Sequence, residues 1–235
     1  MFIDIHNHTL FGVDDGPKEL NTAEEMLREA KEQGAEAVIL TPHYRRGMFA
    51  YPVKEIQENY TKLKARAEAI GIGLFLGCEY HVNSDIVIYL RSGRCMTMAG
   101  SDYVLTEYSY ETEYSYIKEQ SHNLLSHGYI PIIAHVERYK CFQKKTVLCE
   151  EISNMGALIQ INAASVLGMA GWSEKKTCKK LLKFGLADIV ASDTHDMEKR
   201  ANYMNLCKTS IEKKYGEEYA EILFLKNPMR ILNNR

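Results

Sequence analysis

The chain has 235 residues, of which 46% are apolar and 26% are charged, and its formal net charge is −2. Its 29 basic and 31 acidic residues are interspersed without a long block of one sign, which argues against a nucleic-acid-binding protein. No apolar run approaches the roughly 20 residues of a membrane span, and no signal peptide is recognisable, so we expect a cytoplasmic protein.

Seven short apolar segments alternate with longer amphipathic segments along the chain. Each short segment is almost continuously apolar and rich in Ile, Val and Leu, which is typical of parallel strands covered on both faces. The predicted strands are residues 2–6, 37–43, 72–79, 102–107, 130–137, 157–163 and 187–193.

Helical patterns lie between these strands and after the last one. Thr22 to Glu25 have the pattern of a capping box that opens a helix ending near Gly34. Asn227 and Pro228 are predicted to end the last helix. The other helices are predicted over residues 53–70, 84–92, 114–127, 144–155, 173–184, 197–214 and 217–226.

Strands that alternate with helices predict a parallel sheet, which is either open and doubly wound or closed into a barrel. Polar residues occur at the carboxyl ends of the strands. A barrel brings all of these ends to one rim, whereas an open sheet spreads them along an edge. We therefore predict one α/β barrel domain over residues 1–235.

Almost every predicted strand ends in a potential metal ligand. His6 and His8 follow the first strand, and their period-2 spacing points both side chains the same way. Asp14 and Asp15 come next, and their positions do not decide which is the ligand. Strand 6 offers only Asn162, a poor ligand. The other candidates are His43, Glu79, Glu107, His135, Asp193 and His195.

The mixture of imidazoles and carboxylates, with no thiolate, indicates the kind of metal site. It disfavours a structural zinc site and suits Mn²⁺, Fe²⁺ or Zn²⁺ in a hydrolytic centre. The candidates are too numerous for one ion. Because a carboxylate such as Glu79 can bridge two ions, we expect two or three metals.

Arginines follow three of the ligand strands. Arg138 lies three residues after His135, and Arg200 lies seven after Asp193, so both are candidates to bind a phosphate group. Arg45 and Arg46, just after His43, are weaker candidates for substrate contact. Asp196 is a candidate acid for a leaving group, although a solvated loop carboxylate is its plainer interpretation.

The ordered motifs FIDIHNH, VDDGP, TPHY, GCE, AHVERY and SDTH resemble the PHP (polymerase and histidinol phosphatase) superfamily. The longer VDDGPK, HVERY, INAASVLG and DTHDMEKR are similar to the CpsB/YwqE-type bacterial protein-tyrosine phosphatases. This resemblance runs from end to end and implies a distorted (β/α)7 TIM-like barrel, the PHP fold. The chain departs from the pattern at Tyr44, where relatives often carry a second histidine; we expect this to alter the entrance and not the metal set.

The resemblance also implies a trinuclear site that is usually manganese-dependent. Arg138 and Arg200 match the positions that hold the substrate phosphate. One ion would be bound by His6, His8, Glu79 and Asp193, a second by Glu79, Glu107 and His135, and a third by Asp15, His43 and His195.

The activity implied by the resemblance is hydrolysis of phosphotyrosine on the tail of a bacterial tyrosine kinase that regulates capsule or exopolysaccharide assembly. A metal-bound hydroxide would attack phosphorus in this mechanism. Thiol catalysis is not expected, because none of the six cysteines has an arginine six positions later, as a cysteine-dependent phosphatase loop requires.

Two alternatives remain at this point. One is a small-molecule phosphatase such as histidinol-phosphate phosphatase, whose metal set would be nearly the same. The short connections leave little chain for a lid, which favours a peptide substrate instead. The other is a non-catalytic protein that binds metal or a kinase, and the complete ligand set argues against it.

Overall fold

The computed structural model describes residues 1–234. Every strand pair in it is parallel. The strands are β1 (Phe2–Asn7), β2 (Ala35–Leu40), β3 (His43–Tyr44), β4 (Gly73–Leu76), β5 (Glu79–His81), β6 (Tyr103–Glu107), β7 (Ile130–Ile133), β8 (Leu158–Asn162) and β9 (Ile189–Ala191).

The helices follow the strands and cover the outside of the barrel. Residues Val136–Arg138 form a 3₁₀ turn, and residues Ile222–Lys226 form a wider π-helical turn. The α-helices are α1 (Leu20–Glu32), α2 (Val53–Ile70), α3 (Ile86–Arg91), α4 (Tyr114–Ser126), α5 (Lys140–Lys144), α6 (Val147–Asn154), α7 (Ala163–Leu167), α8 (Trp172–Lys183), α9 (Met204–Tyr215), α10 (Glu217–Glu221) and α11 (Asn227–Asn233).

The strands form a curled parallel sheet that closes into a distorted TIM-like barrel. β1, β2 and β4 form one sheet, and β3, β5, β6, β7, β8 and β9 form another. The second and third predicted strands are each interrupted, so that β2 leads into β3 through Thr41-Pro42 and β4 into β5 through Gly77-Cys78. A parallel bridge between Asn7 and Thr194 joins the two ends of the ring. The predicted fold class is thus confirmed.

Two buried apolar clusters hold the barrel and its helices together. The larger cluster joins outward-facing strand residues to the helices, for example Val38 to Leu27 and Leu63. The smaller cluster contains Ile3 and Ile5 of β1 together with Ile231 of α11. The apolar strand residues pack in these two clusters, and the polar residues at the strand ends lie outside them.

Several predicted element boundaries are wrong, for identifiable reasons. The capping box is not formed, because α1 begins at Leu20, and Glu24 instead pairs with Arg28 and Arg66. The last helix does not end at Pro228, which occupies the first turn of α11, a position where its missing N–H costs nothing.

The largest boundary error affects the site. The sequence pattern predicts helix over residues 197–203, but α9 starts only at Met204. The Asp196 carboxylate accepts hydrogen bonds from the backbone N–H groups of Glu198, Lys199 and Arg200, at 2.8, 2.6 and 3.0 Å. These hydrogen bonds satisfy backbone N–H groups of the loop without a helix. The loop places Arg200 at the barrel rim.

Among residues 1–234, no helix combines the length and the hydrophobicity needed to cross a bilayer.

Candidate metal centre and phosphate-binding cavity

All nine residues predicted as metal ligands meet at the carboxyl ends of the strands. Seven of them are buried, while Asp15 is exposed and Glu107 is partly exposed. Each residue belongs to at least one cluster in which one ligand atom per side chain lies within 4.8 Å of the others. The four clusters are His8, Asp15, His43 and His195; His6, His8 and Asp193; His6, Glu79 and His135; and His43, Glu79 and Glu107.

Glu79 lies at the centre of these clusters. Its Oε2 is 2.8 Å from His43 Nδ1 and 3.3 Å from the Nε2 atoms of both His6 and His8. Its Oε1 is 3.0 Å from His135 Nε2. One carboxylate thus faces four imidazoles with two oxygens, which is the arrangement expected of a bridging ligand.

His6 and His8 face each other through their Nε2 atoms. His6 Nδ1 lies 3.1 Å from Gln160 Oε1, and His8 Nδ1 lies 2.9 Å from Asp14 Oδ2. Because both partners are acceptors, each Nδ1 carries a proton, and Nε2 is the nitrogen that can offer a lone pair to a cation. These two Nε2 atoms are 3.1 Å apart, close enough to share one proton in a hydrogen bond or to bind one cation together.

A second observation supports a metal centre at these donor atoms. Buried polar atoms are normally hydrogen-bonded. Four buried side-chain atoms in this region make no hydrogen bond of favourable geometry within residues 1–234, although His43 Nδ1 and Glu79 Oε2 lie 2.8 Å apart and His195 Nε2 lies 3.2 Å from Asp15 Oδ1. The four atoms are His43 Nδ1, Glu79 Oε2, Glu107 Oε2 and His195 Nε2. Each of them belongs to a residue of the clusters above, and imidazole and carboxylate donors together suit Mn²⁺, Fe²⁺ or Zn²⁺.

Two carboxylates of the site, Glu79 and Asp193, are buried and have lowered pKa values. Burial favours the neutral acid, but His6 and His43 hold the pKa of Glu79 well below its usual range. Burial likewise opposes ionisation of Asp193, and Arg138 and His6 outweigh it to lower that pKa. Conversely, burial disfavours the imidazolium form of His6, yet Glu79 and Asp193 raise its pKa to about 9. The carboxylates therefore attract cations, whether these are protons or metal ions.

The structure distinguishes Asp14 from Asp15. Asp14 is buried, and its carboxylate accepts hydrogen bonds from the backbone N–H groups of Gly16 and His43 as well as facing His8 Nδ1. Asp15 Oδ1 instead lies 3.2 Å from His195 Nε2 and 3.4 Å from His43 Nε2. This geometry favours Asp15 as the ligand and gives Asp14 the role of orienting His8.

Gly16 is required by the close approach of two backbone segments. A Cβ at this position would lie 2.0 Å from the carbonyl oxygen of His8, far closer than real Cβ contacts. We expect Gly16→Ala to displace His8 and to lower kcat/KM by about 10²-fold, the loss that a misplacement of roughly 1 Å can cause. Steady-state kinetics with metal content per chain would measure both effects.

Gly93→Ala is a suitable control for this substitution. Gly93 has a positive φ of 69°, and a Cβ at this position would have no atom within 4 Å, so alanine there strains the backbone without a collision. We expect lower stability and unchanged kcat/KM. Wild-type kinetics and metal content in Gly16→Ala would show that the loop can move without disturbing His8.

Both predicted phosphate-binding arginines reach the metal-ligand cluster. Arg138 Nη1 lies 2.9 Å from Asp193 Oδ2. Arg200 places Nη1 2.9 Å from Asp15 Oδ2 and Nη2 3.2 Å from Asp193 Oδ1. Both line a cavity of about 600 Å³ that opens above the clusters. Arg45 also lines this cavity, whereas Arg46 pairs with Asp85 outside it.

Part of the cavity wall is apolar and aromatic, beside many charged and polar lining residues. Met48, Phe49, Tyr110 and Met169 line it, and Met48, Tyr110 and Met169 are more than half exposed. The Phe49 ring stacks on His43 with centroids 4.9 Å apart and an interplanar angle of 12°. A charged floor under aromatic walls suits a ligand that is a phosphate ester of an aromatic group.

Backbone strain marks two of the strand ends. His135 has φ 33° and Asp193 has φ 53°, both in the left-handed region that non-glycine residues rarely adopt. The turn at His135 ends the fifth strand earlier than predicted and leads into the 3₁₀ turn that carries Arg138. Strain at a ligand position is commonly found at functional sites.

Sequence reasoning missed the residues that support the ligands. Gln160 Oε1 accepts a hydrogen bond from His135 N–H and orients His6, and Asn162 Nδ2 donates to Asp193 Oδ2 at 2.7 Å. Asp4 accepts from Ser192 Oγ at 2.6 Å and links β1 to β9. A signal was present, because polar residues inside otherwise apolar strands are unusual unless they have buried partners.

The cysteines and Asp196 take no part in the site. All six cysteines are free thiols, and burial raises the pKa of Cys78, Cys149 and Cys178. Such thiols are protonated and unreactive at neutral pH. The Asp196 carboxylate is engaged by backbone N–H groups, which supports its interpretation as a loop residue.

Comparison with known proteins gives a consistent picture. The family model described as capsular polysaccharide synthesis, CpsB/CapC, matches residues 2–233. The tyrosine-protein phosphatase CpsB of Streptococcus pneumoniae is 35% identical over 98% of both chains. The tyrosine-protein phosphatase YwqE of Bacillus subtilis (strain 168) is 28% identical over 99% of this chain and 92% of its own.

Solved structures agree with these sequence matches. A structure from a study of YwqE from Bacillus subtilis and CpsB from Streptococcus pneumoniae, described as unique metal-dependent tyrosine phosphatases, superposes with a TM-score of 0.92. It is 28% identical and covers 99% of this chain and 95% of its own. An organophosphorus hydrolase from Deinococcus radiodurans has a TM-score of 0.65 at 14% identity over 98% and 92% of the two chains, which shows a shared barrel fold alone.

Proposed function

Because the chain belongs to the CpsB/CapC capsular polysaccharide synthesis family, we propose that it removes phosphate from tyrosine residues of proteins in a metal-dependent reaction. It is a tyrosine-protein phosphatase of the metal-dependent kind. The observation that carries this function is the convergence of nine ligand side chains and two arginines beneath a cavity with aromatic walls.

We further propose manganese as the cation and three ions as the number. In this assignment, His6, His8, Glu79 and Asp193 hold one ion, Glu79, Glu107 and His135 hold a second, and Asp15, His43 and His195 hold a third. The clustering of these donor atoms within 4.8 Å supports the assignment. When bound, divalent cations would contribute to phosphate-ester hydrolysis in two ways. They lower the pKa of a water that acts as the nucleophile, and they place positive charge near the phosphoryl oxygens.

The two arginines bind the phosphoryl group from the side of the cavity. A guanidinium carries five N–H donors, and the ion pairs with Asp193 and Asp15 occupy only part of them. The remaining donors are free to bind phosphate oxygens in the planar, two-point manner that guanidinium favours. Arg138 and Arg200 thereby hold the group in one orientation relative to the ligand clusters.

The buried supporting residues keep the ligands in one protonation state. Gln160 and Asp14 hold the proton of His6 and His8 at Nδ1, so that both Nε2 atoms remain available to a cation. Tyr139 Oη lies 3.3 Å from His135 Nδ1 and accepts a hydrogen bond from the N–H of Tyr108, which positions the His135 ring.

The apolar walls fit the aromatic part of a phosphotyrosine. Phe49, Met48, Tyr110 and Met169 offer the flat and flexible surfaces that pack against a phenyl ring. We propose that the phosphotyrosine lies in the tail of a bacterial tyrosine kinase that controls capsule or exopolysaccharide assembly. The membership in a capsule-synthesis family supports this substrate.

Turnover of a phosphotyrosine peptide, measured beside histidinol phosphate, tests the function. With Mn²⁺ present, we expect rapid release of phosphate from the peptide, slow release from histidinol phosphate, and loss of both activities in a strong chelator. Undiminished activity in chelator would contradict the metal-dependent mechanism. Activity on histidinol phosphate alone would instead favour a small-molecule phosphatase.

A further inference from the structure

Helix α8 presents a row of lysines on its exposed face. The exposed residues on one side of this helix are Trp172, Lys175, Lys176, Lys179 and Lys183. The four lysines follow Trp172 by 3, 4, 7 and 11 residues, which is the spacing of one helix face. The opposite side is buried through Cys178, Leu181 and Leu182. We call Lys175, Lys176, Lys179 and Lys183 the α8 stripe.

The α8 stripe gathers four lysines on one helix face with no acidic partner among residues 1–234, whereas some lysines on other elements are paired. Lys118, Lys140, Lys208 and Lys226 all form ion pairs with carboxylates. Within residues 1–234, no lysine of the stripe lies within ion-pair distance of an acid. Lys175 donates to the carbonyl oxygen of Leu167 at 3.0 Å, and Lys176 lies over the Trp172 ring at 4.8 Å. The stripe is therefore a concentrated positive charge on a chain with a net charge of −2.

The stripe begins at the rim of the catalytic cavity. Met169 and Ala170, just before α8, line that cavity, and so does Glu174 of its first turn. Trp172 is 75% exposed at the same end of the helix. From Trp172 to Lys183 a helix rises by roughly 16 Å, at about 1.5 Å per residue. An extended peptide spans that length in about five residues.

We propose that the α8 stripe binds acidic residues of the protein substrate within about five positions of its phosphotyrosine. The proposal rests on the proposed function, because it assumes that a phosphotyrosine occupies the cavity. A polypeptide anchored there must leave over the rim, and α8 offers an unneutralised row of positive charge from the rim outwards. Glu and Asp side chains complement that row, so the enzyme selects phosphotyrosines in acidic stretches.

Two phosphotyrosine peptides test the proposal, one flanked on both sides by Glu and Asp and one flanked by Gln and Asn. Wild-type enzyme is expected to show the lower KM for the acidic peptide. In the triple variant Lys176→Glu, Lys179→Glu and Lys183→Glu, we expect that KM to rise on the order of tenfold. The kcat values, the KM for the Gln/Asn peptide and the turnover of p-nitrophenyl phosphate should not change, because none of these depends on the stripe.

A matched control separates local from global charge. Lys62, Lys64 and Lys213 are exposed on α2 and α9 and line no part of the cavity. Replacing all three by Glu changes the net charge by the same amount as the stripe variant. We expect wild-type KM values for both peptides in this control.

Trp172 provides a readout that does not need turnover. It is the only tryptophan in the chain, so its fluorescence reports on this rim alone. Titration of metal-free protein with the acidic peptide should change the fluorescence of the wild type, and the change should weaken in the stripe variant and with added salt.

The outcomes separate the proposal from the function on which it rests. Equal KM values of wild type for the two peptides, or an unaltered KM in the stripe variant, would overturn the role of α8 and leave the phosphatase activity intact. Failure of wild type to hydrolyse either peptide would contradict the proposed function itself. Binding of vesicles containing phosphatidylserine that is lost in the stripe variant, with peptide KM unchanged, would assign the stripe to a membrane surface and overturn the proposal.

Discussion

Glu79→Gln is expected to lower kcat/KM for a phosphotyrosine peptide by about 10³-fold or more, the scale seen when one preorganised electrostatic group is lost. Glu79 lies within 3.3 Å of His6, His8, His43 and His135, so it takes part in more ligand contacts than any other carboxylate of the cluster. The amide keeps the size of the side chain but removes the charge that would be shared between two cations. Its nitrogen also places a donor where ligands must be acceptors.

Metal content measured with the kinetics makes this prediction specific. We expect fewer ions per chain after gel filtration of Glu79→Gln, while Glu58→Gln on exposed α2 keeps both its metal and its rate. Glu79→Asp keeps the negative charge on a shorter side chain, and it replaces Glu79→Gln in this experiment if that variant fails to fold. A wild-type rate or full metal content in the folded Glu79→Gln protein would mean that this carboxylate is no bridging ligand.

Arg138→Lys is expected to lower kcat/KM by about 10²- to 10³-fold, because lysine keeps the charge but loses the planar pair of donors. Arg138 is anchored by Asp193 at 2.9 Å and lines the cavity, so its guanidinium has one position relative to the phosphate. Ammonium is a point charge and cannot hold both Asp193 and a phosphoryl oxygen in that geometry.

The metal content distinguishes Arg138→Lys from Glu79→Gln. Arg138 is no metal ligand, and we expect Arg138→Lys to bind as many ions as the wild type while kcat falls. Arg46→Lys is the matched control, since Arg46 pairs with Asp85 away from the cavity and its replacement should leave kcat/KM unchanged. An unaltered kcat/KM in Arg138→Lys would remove this arginine from the phosphate-binding group.

The convergence of the nine candidate ligand residues could be predicted because it follows from topology. Parallel strands that alternate with helices have their carboxyl ends at one rim, so any His, Asp or Glu placed there converges with the others. His6, His43, Glu79 and His135 come from different parts of the sheet, and each lies at or near the carboxyl end of a predicted strand. The alternation allows an open sheet or a barrel, and the polar residues at the strand ends favour the barrel. The structure also divides the seven predicted strands into nine and contains helices α5 and α7, which the sequence pattern did not predict.

The supporting contacts could not be predicted, because they join distant parts of the chain. Gln160 is 154 residues from His6, and Asp4 is 188 residues from Ser192. Whether such a pair forms depends on strand register and on the left-handed turns at His135 and Asp193, which no local pattern specifies. The helix prediction over residues 197–203 is wrong for a related reason, since the hydrogen bonds from the loop backbone to the Asp196 carboxylate are not visible as periodicity.

Charge shows the same division between sequence and structure. A net charge of −2 with interspersed signs argues against a nucleic-acid partner from the sequence alone, because overall composition is a property of the chain. The α8 stripe became visible only when the helix was seen to bury Cys178, Leu181 and Leu182 and to begin at the cavity rim. The sequence by itself determined the fold class and which side chains reach the rim. The tertiary structure decided the distances between them, the different surroundings of Asp14 and Asp15 and the surface beside the cavity, because those depend on packing between segments far apart in the chain.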